Sequence, residues 1–172
     1  MKEMKRKEKQ LGADETEHIL QTGVYGVLSL ADQRGAPYGV PLNYVYHNGM
    51  IYIHCAAEGL KLDLLNENSQ VSFCVVIDVT VIPERFSTHY SSVILSGRAS
   101  EVFEQEKRDG LVALLVKYSP DYLEQGNRYL EKAWERTRVY RIDIDHCTGK
   151  GSLKRQIVRA DSLLPGPGPE IS

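Results

Sequence analysis

Between Pro41 and Leu65 the chain reads PLNYVYHNGMIYIHCAAEGLKLDLL, and four of its side chains are suited to chemistry. Asn43 offers an amide, His54 an imidazole, Cys55 a thiol and Lys61 an ammonium. An imidazole titrates near neutrality, so His54 can hold or deliver a proton under ordinary conditions. Lys61 follows Gly59-Leu60 at an expected helix start. Unpaired backbone N–H groups and a partial positive charge gather there, and with a lysine they suit a phosphate. Ala56, Ala57 and Gly59 are small enough to let a ligand approach the backbone. The same residues also fit a plain surface helix with a turn glycine, and residue types alone leave both readings open.

The elements around this stretch decide whether those groups can meet. Asn48-Gly49 is a strong signal for a two-residue type I′ turn, because both positions need positive φ. That turn sets His47 opposite Met50, Tyr44 opposite Ile53 and Asn43 opposite His54, and such partners share a face. One face then holds Leu42, Tyr44, Tyr46, Ile51, Ile53 and Cys55, a core face. The other holds Pro41, Asn43, Val45, His47, Met50, Tyr52 and His54. Its polar end, away from the turn, leads directly into Cys55–Lys61.

Elsewhere, Asp14 with Glu17 three residues on predicts an N-cap and a short helix through Leu20, ended by Gly23. VYGVLSLAD, APYGVPLNYVYH, MIYIHC, QVSFCVVIDVTVI, THYSSVILSGRASEVF and TRVYRIDIDHC read as six strands. GLKLDLLNEN is a short helix, and two longer helices flank Ser119-Pro120. The tail LLPGPGPEIS reads as irregular. The expected fold is mainly β: a six-stranded antiparallel barrel, closed or nearly so, with flanking helices. It forms one domain over residues 1–150 with an N-terminal helical arm, and 151–172 is a tail. No Gly-rich loop follows the first strand, which argues against a doubly wound parallel sheet.

The 172 residues suit one domain with a real core, and a net charge of −2 disfavours a polyanion partner such as nucleic acid. The mixed-charge run over the first ten residues reads as a solvated helix or arm. No apolar run is long enough to span a bilayer, and no apolar segment follows the basic N-terminus, so no signal peptide is expected. Three cysteines without a disulfide pattern suit a reducing, cytoplasmic setting. His54-Cys55 and His146-Cys147 are adjacent pairs in strands and point to opposite faces, so no metal site is expected. Cys74 reads as core, His18 and His47 as surface residues, and Tyr129 and Trp134 as helix packing. His89 and Tyr90 precede a strand that can line a cleft.

GVLSLADQRGAPYGVPLNYVYHNGMIYIHCAAEGLKLDLLNENSQVSF, followed by YSSVILSGRASEV, resembles the pyridoxamine-phosphate-oxidase-like proteins with the FMN-binding split-barrel fold. Within them it is most similar to the nitroimidazole-resistance branch. The resemblance implies a homodimer of split barrels with FMN in clefts at the subunit interface. By position, Pro41, Leu42 and Asn43 lie along the flavin ring. Cys55, Ala56 and Lys61 hold the ribityl-phosphate end, and Ser91 and Ser92 approach from a neighbouring strand. His54 matches the branch's histidine near cofactor and substrate and becomes the catalytic candidate. The arginine-rich strand of the true oxidases is replaced by YGVPLNY, and Trp134 is the only tryptophan, so pyridoxamine phosphate is not the expected substrate.

The function implied is an FMN-dependent oxidoreductase that reduces a small oxidised acceptor such as a nitroaromatic, with reduced nicotinamide as a possible donor. Two alternatives stand beside it. One is a haem-binding split-barrel protein with His54 or His89 as axial ligand; the other is a flavin-binding module without catalysis.

Overall fold

The computed structural model describes residues 6–151. The Pro/Gly-rich tail, and Lys2, Glu3 and Lys5 of the expected arm, lie outside the described residues. From Arg6 onward the arm is a short 3-10 turn, Lys7–Lys9, whose next residue, Gln10, bridges to Lys150. Eleven elements follow in the order α1 (Ala13–Thr22), β1 (Gly26–Ala31), β2 (Pro37–Leu42), β3 (Tyr44–His47), β4 (Met50–Ala56), α2 (Leu60–Glu67), β5 (Gln70–Ile82), β6 (Ser87–Val102), α3 (Glu104–Tyr118), α4 (Leu123–Ala133) and β7 (Thr137–Gly151). Helix α1 starts one residue before the expected cap: the Gly12 N–H donates to Glu15 Oε2 at 3.0 Å, so Glu15 does the work assigned to Glu17.

All seven strands form one antiparallel sheet in the order β2-β1-β5-β6-β7-β4-β3. This corrects the expected six. The run APYGVPLNYVYH is two strands, broken at Asn43, and they occupy opposite edges of the sheet. Leu42 and Tyr44 are two residues apart, so their Cα atoms lie within about 7.6 Å, twice the Cα–Cα step. The sheet must therefore curl until its two edges nearly meet. No ladder of hydrogen bonds joins them, and the barrel stays split. Part of that curl comes from a bulge in β7, where Ser96 faces His146 but Gly97 faces Ile144. A Cβ at Gly97 would lie 2.0 Å from the Asp143 carbonyl oxygen, so only glycine fits there.

The interior of the curl is the main core. Tyr44, Ile51, Ile53, Phe73, Val75, Val93, Leu95 and Ile142 are fully buried in it. The hairpin register is the expected one from Tyr44–Ile53 to His47–Met50, and the face assigned to the core does enter it. The opposite face is covered as well. Val45, Tyr52, Val102 and Val139 pack against Leu111 and Leu114 of α3, with Leu130 and Trp134 at the margin. Helices α3 and α4 thus form a second layer, and the fold is mixed α/β, not mainly β. A polar clamp holds α3 down: Tyr52 donates to Glu106, which also accepts from Arg141, itself paired with Asp143.

Tyr44 is the centre of the packing. Its hydroxyl donates to the Leu20 carbonyl of α1 at 2.8 Å, and its ring meets Phe73 edge-on at 5.0 Å. The ammonium of Lys117 sits 3.9 Å from the ring centroid. That ammonium is buried and has no hydrogen-bond partner among the described residues. Burial pushes its pKa down to about 8 from 10.5. This displacement corresponds to about 3 kcal/mol, against roughly 2 kcal/mol returned by a desolvated cation–π contact.

Lys117→Met is therefore expected to stabilise the fold at pH 7 by on the order of 1 kcal/mol. An unfolded lysine keeps its proton up to about 10.5 and the folded one loses it above about 8. Between those values the unfolded state binds more protons, so wild-type stability gains with pH. The advantage of the variant should shrink across that window in urea titrations of both proteins. An advantage independent of pH would show that the ammonium is not strained.

Candidate functional site

Asn43 is the single residue between the two sheet edges, and its position is held from three sides. Its amide donates to the Val24 carbonyl at 3.2 Å. Tyr118, the last residue of α3, places its hydroxyl 2.7 Å from the same carbonyl and 2.8 Å from the Tyr44 carbonyl, and accepts from the Tyr44 N–H at 3.1 Å. One hydroxyl proton thus serves two acceptors while the oxygen caps an edge N–H of β3. The α3 terminus is thereby tied to the point where the barrel is split.

His54 lies across from this point on β4, opposite Val139, and Ala56 on the same face is opposite Thr137. Asn43, His54 and Thr137 border one cavity of about 300 Å³. Leu111, Leu114 and Leu115 of α3 and Leu130 of α4 supply its apolar wall, with Tyr118 and Tyr129 completing it. The cavity exists because the second layer stops short of the end of β4. Helix α4 closes onto α3 at Gly126, where a Cβ would fall 2.2 Å from Leu115.

The electrostatics are those of a positive rim beside an uncharged cavity. Partial burial holds the His54 pKa below the ordinary 6.5, and the Lys61 charge lowers it further. The imidazole is therefore neutral at neutral pH: it can donate one N–H, but it is a charged acid only on the acid side of 6.5. Burial pushes the Cys55 thiol up, opposed by Lys61 and Arg138, so the sulfur stays protonated. Lys61 is half-buried in the first turn of α2, which follows Gly59 at φ 129°, and the space over Gly59 is open. Arg138 faces Cys55 across the ladder and pairs with Glu101 at 3.3 Å.

The structure thus brings Asn43 and His54 to one cavity wall, with Lys61 and Cys55 within electrostatic reach of each other. Asn43 and His54 share a face as expected, although the ladder ends at Tyr44–Ile53 and does not pair them. Pro41, Asn43, His54 and Ala56 are all exposed, and Leu42 packs against the main core. Ser91 and Ser92 sit elsewhere, opposite Ile77 and Val76. From Ser92 to Val102, which faces Val139, β6 runs roughly 33 Å at strand rise. Within one chain these serines are remote from His54. His89, opposite Thr80, lies further out on the same hairpin. Among the described residues no three His, Cys, Asp or Glu side chains gather to hold a metal ion, and no helix is long and apolar enough to cross a membrane.

Thr137, Tyr118, Arg138 and the leucines of α3 and α4 were not legible as site residues. Their roles depend on the β4–β7 pairing across more than eighty positions of chain, and no local pattern announces it. Tyr118 carried one faint signal, an aromatic at the break before Ser119-Pro120.

Tyr118→Phe removes the partner of the Tyr44 N–H and one donor to the Val24 carbonyl. A loss of about 1–3 kcal/mol is expected, with Asn43 loosened at the cavity wall. Amide hydrogen exchange at Tyr44 should speed up in the variant. Unchanged protection there would show that the hydroxyl does not hold the edge.

Comparison with known proteins agrees with this architecture. No curated protein matches the chain. Among solved structures it superposes on a conserved hypothetical protein from Mycobacterium tuberculosis with a TM-score of 0.74 and 18% identity, over 99% of each chain. A candidate 5-nitroimidazole antibiotic resistance protein from Bacteroides thetaiotaomicron matches with a TM-score of 0.71 and 24% identity, over 82% of this chain and 85% of that one. An FAD- and haem-binding protein from Mycobacterium smegmatis gives 0.71 and 22%, over 84% and 73%. These likenesses concern the fold, a split barrel. Residues 12–151 match the profile of the family described as pyridoxamine 5'-phosphate oxidase, and the chain belongs to that family.

Proposed function

We propose that the protein is an FMN-dependent oxidoreductase that reduces a small oxidised acceptor, a nitroaromatic being one candidate, with reduced nicotinamide as electron donor. The observation that carries this reading is the meeting of Asn43 and His54 at one cavity wall beside the Lys61 helix start. Family membership and the flavin-binding description of the mycobacterial relative support it. The donor set fits the cofactor's phosphate. Lys61 has no carboxylate within salt-bridge distance among the described residues, and Gly59 leaves the approach open.

When bound, FMN supplies the redox chemistry. The chain's own residues bind and orient. Lys61 and the first N–H groups of α2 hold the phosphate end. Asn43, fixed on the Val24 carbonyl, presents the ring side of the site. Neutral His54 donates a hydrogen bond toward the acceptor, and α3 and α4 keep water off the cavity floor. A haem-binding reading stands second, since the same relative is described as binding haem. The visible spectrum of the purified protein separates the two, a flavin doublet against a Soret band.

The active unit in this reading is a homodimer. Val76, Val79, Val81, Ile94 and Phe86 are exposed on the β5–β6 hairpin, Phe86 at 99%, and a second copy is the natural cover for such a surface. Ser91 and Ser92 would then reach the cofactor from the partner subunit.

Two measurements test this. Lys61→Ala should raise the FMN dissociation constant roughly 10- to 150-fold, the loss of a charge-assisted hydrogen bond of about 1.5–3 kcal/mol, while riboflavin binding barely changes. Equal losses for both ligands would show that the lysine does not read phosphate. Sedimentation of the flavin-loaded protein across a concentration series should give a dimer. A monomer with a full complement of FMN would remove the interface model, and with it any role for Ser91 and Ser92.

A further inference from the structure

Where the N-terminal arm meets the end of β7, three cations converge on one oxygen. Lys150 donates to the Tyr90 hydroxyl at 2.9 Å, and its ammonium lies 5.2 Å from the centroid of the same ring. Lys9 and Arg6 act on that phenol as well, and with Lys150 they hold its pKa below the ordinary 10. The backbone fixes this arrangement. Gln10 bridges to Lys150, the Leu11 N–H donates to the Gly149 carbonyl at 3.0 Å, and the Lys9 N–H closes its turn on the Arg6 carbonyl at 3.1 Å. Residues three apart eclipse in a 3-10 turn, so Arg6 and Lys9 stand on one side and the exposed Glu8 on another. Lys9 and Lys150 are half-buried. Among the described residues no carboxylate lies within salt-bridge distance of Arg6, Lys9 or Lys150, whereas Arg138 and Arg141 on the same strand as Lys150 each have one. Like charges gathered without a counter-charge repel, and an anion between them removes that repulsion. The place is remote from the first site: Val139 faces His54, Lys150 faces Ser92, and between them β7 runs roughly 36 Å at strand rise.

We infer that Arg6, Lys9 and Lys150, gathered at Tyr90, form a binding site for a phosphate-type anion, of the size and charge of a dinucleotide's pyrophosphate and separate from the Lys61 site. The cluster is confined to one turn and one strand end in a chain of net charge −2, which suits a small ligand and not an extended polyanion. Which molecule carries the anion rests on the oxidoreductase reading above; the binding does not. In that reading Ser92 reaches the cofactor from the partner subunit, and Lys150 faces Ser92. The cluster then seats the phosphates of the reduced nicotinamide donor beside the flavin that its ring must meet.

The test titrates pyrophosphate calorimetrically into the full chain without flavin, at low ionic strength because salt screens such a site. Lys150→Gln should weaken binding about tenfold or more, the loss of one charge-assisted contact, and adding Arg6→Gln and Lys9→Gln should abolish it. Lys132→Gln, exposed on α4, should change nothing, and Lys61→Ala should leave the binding in place. The Tyr90 ring signals in NMR spectra, identified by their loss in Tyr90→Phe, should shift as pyrophosphate is added. No pyrophosphate binding, binding that survives the combined changes, or binding that Lys61→Ala removes would each overturn the inference. So would a Lys150→Gln protein that loses affinity for FMN but not for riboflavin, because the cluster would then serve the cofactor's own phosphate. Circular dichroism of the variants separates a lost charge from a lost fold. The donor role is read separately: in the flavin-loaded protein Lys150→Gln should raise the KM for reduced nicotinamide dinucleotide about tenfold with kcat unchanged. Pyrophosphate binding without any turnover would sink the oxidoreductase reading alone.

Discussion

Strand β4 is buried on both of its faces at its centre, Ile51 to Ile53, and the rest of the molecule is arranged around that constraint. Ile51 and Ile53 enter the barrel core, while Tyr52 enters the layer beneath α3. Alternation along a strand would normally put one of these faces in water. Here two cores share one wall, and β7, with Ile142 on one side and Val139 on the other, continues it. The second layer gives out at His54, where the cavity opens. The site is thus the place at which burial on the second face ends, and its polar groups are tolerated for that reason.

Positive charge is handled in two ways around this wall. Lys107 and Lys117 are drawn against aromatic rings: Lys107 lies 4.2 Å from the centroid of Trp134 and donates to its carbonyl, and Lys117 covers Tyr44. Both lose part of their affinity for a proton through burial. Lys107 ties α3 to the turn before β7 through its hydrogen bond to Trp134, and neither lysine lines the cavity. Lys61 differs from them. It is half-buried at a helix start, and its field reaches both His54 and Cys55.

The sheet itself depends on a few positions with no freedom. Asn43 must join opposite edges, Gly97 must let the Asp143 carbonyl approach, and Asn48-Gly49 must turn with positive φ at both residues. Each is small or tolerates the left-handed region. Together they set the curl and the register from which every facing described above follows.

Local features were legible because their causes are local. Asn48-Gly49 determined the hairpin register, alternation determined which of Tyr44, Ile51 and Ile53 face the core, and Ser119-Pro120 marked the break between α3 and α4. The helix start after Gly59 also stood in plain view. The strand count did not, because nothing in PYGVPLNYVYH shows that its halves belong to opposite edges; that follows only once five other strands have filled the space between them. The cap of α1 moved from Asp14 to Gly12 because Glu15 reaches back to the first N–H, a competition between neighbours that spacing alone cannot rank. The second layer and the cavity were invisible for a stronger reason. Tyr118, Thr137 and the leucines of α3 and α4 meet Asn43 and His54 only through long-range pairing, and α3 looks like any helix with an apolar side. Sequence by itself determined the chemistry available; tertiary structure alone decided which of those groups share a surface, because that is settled by which distant strands exclude water together.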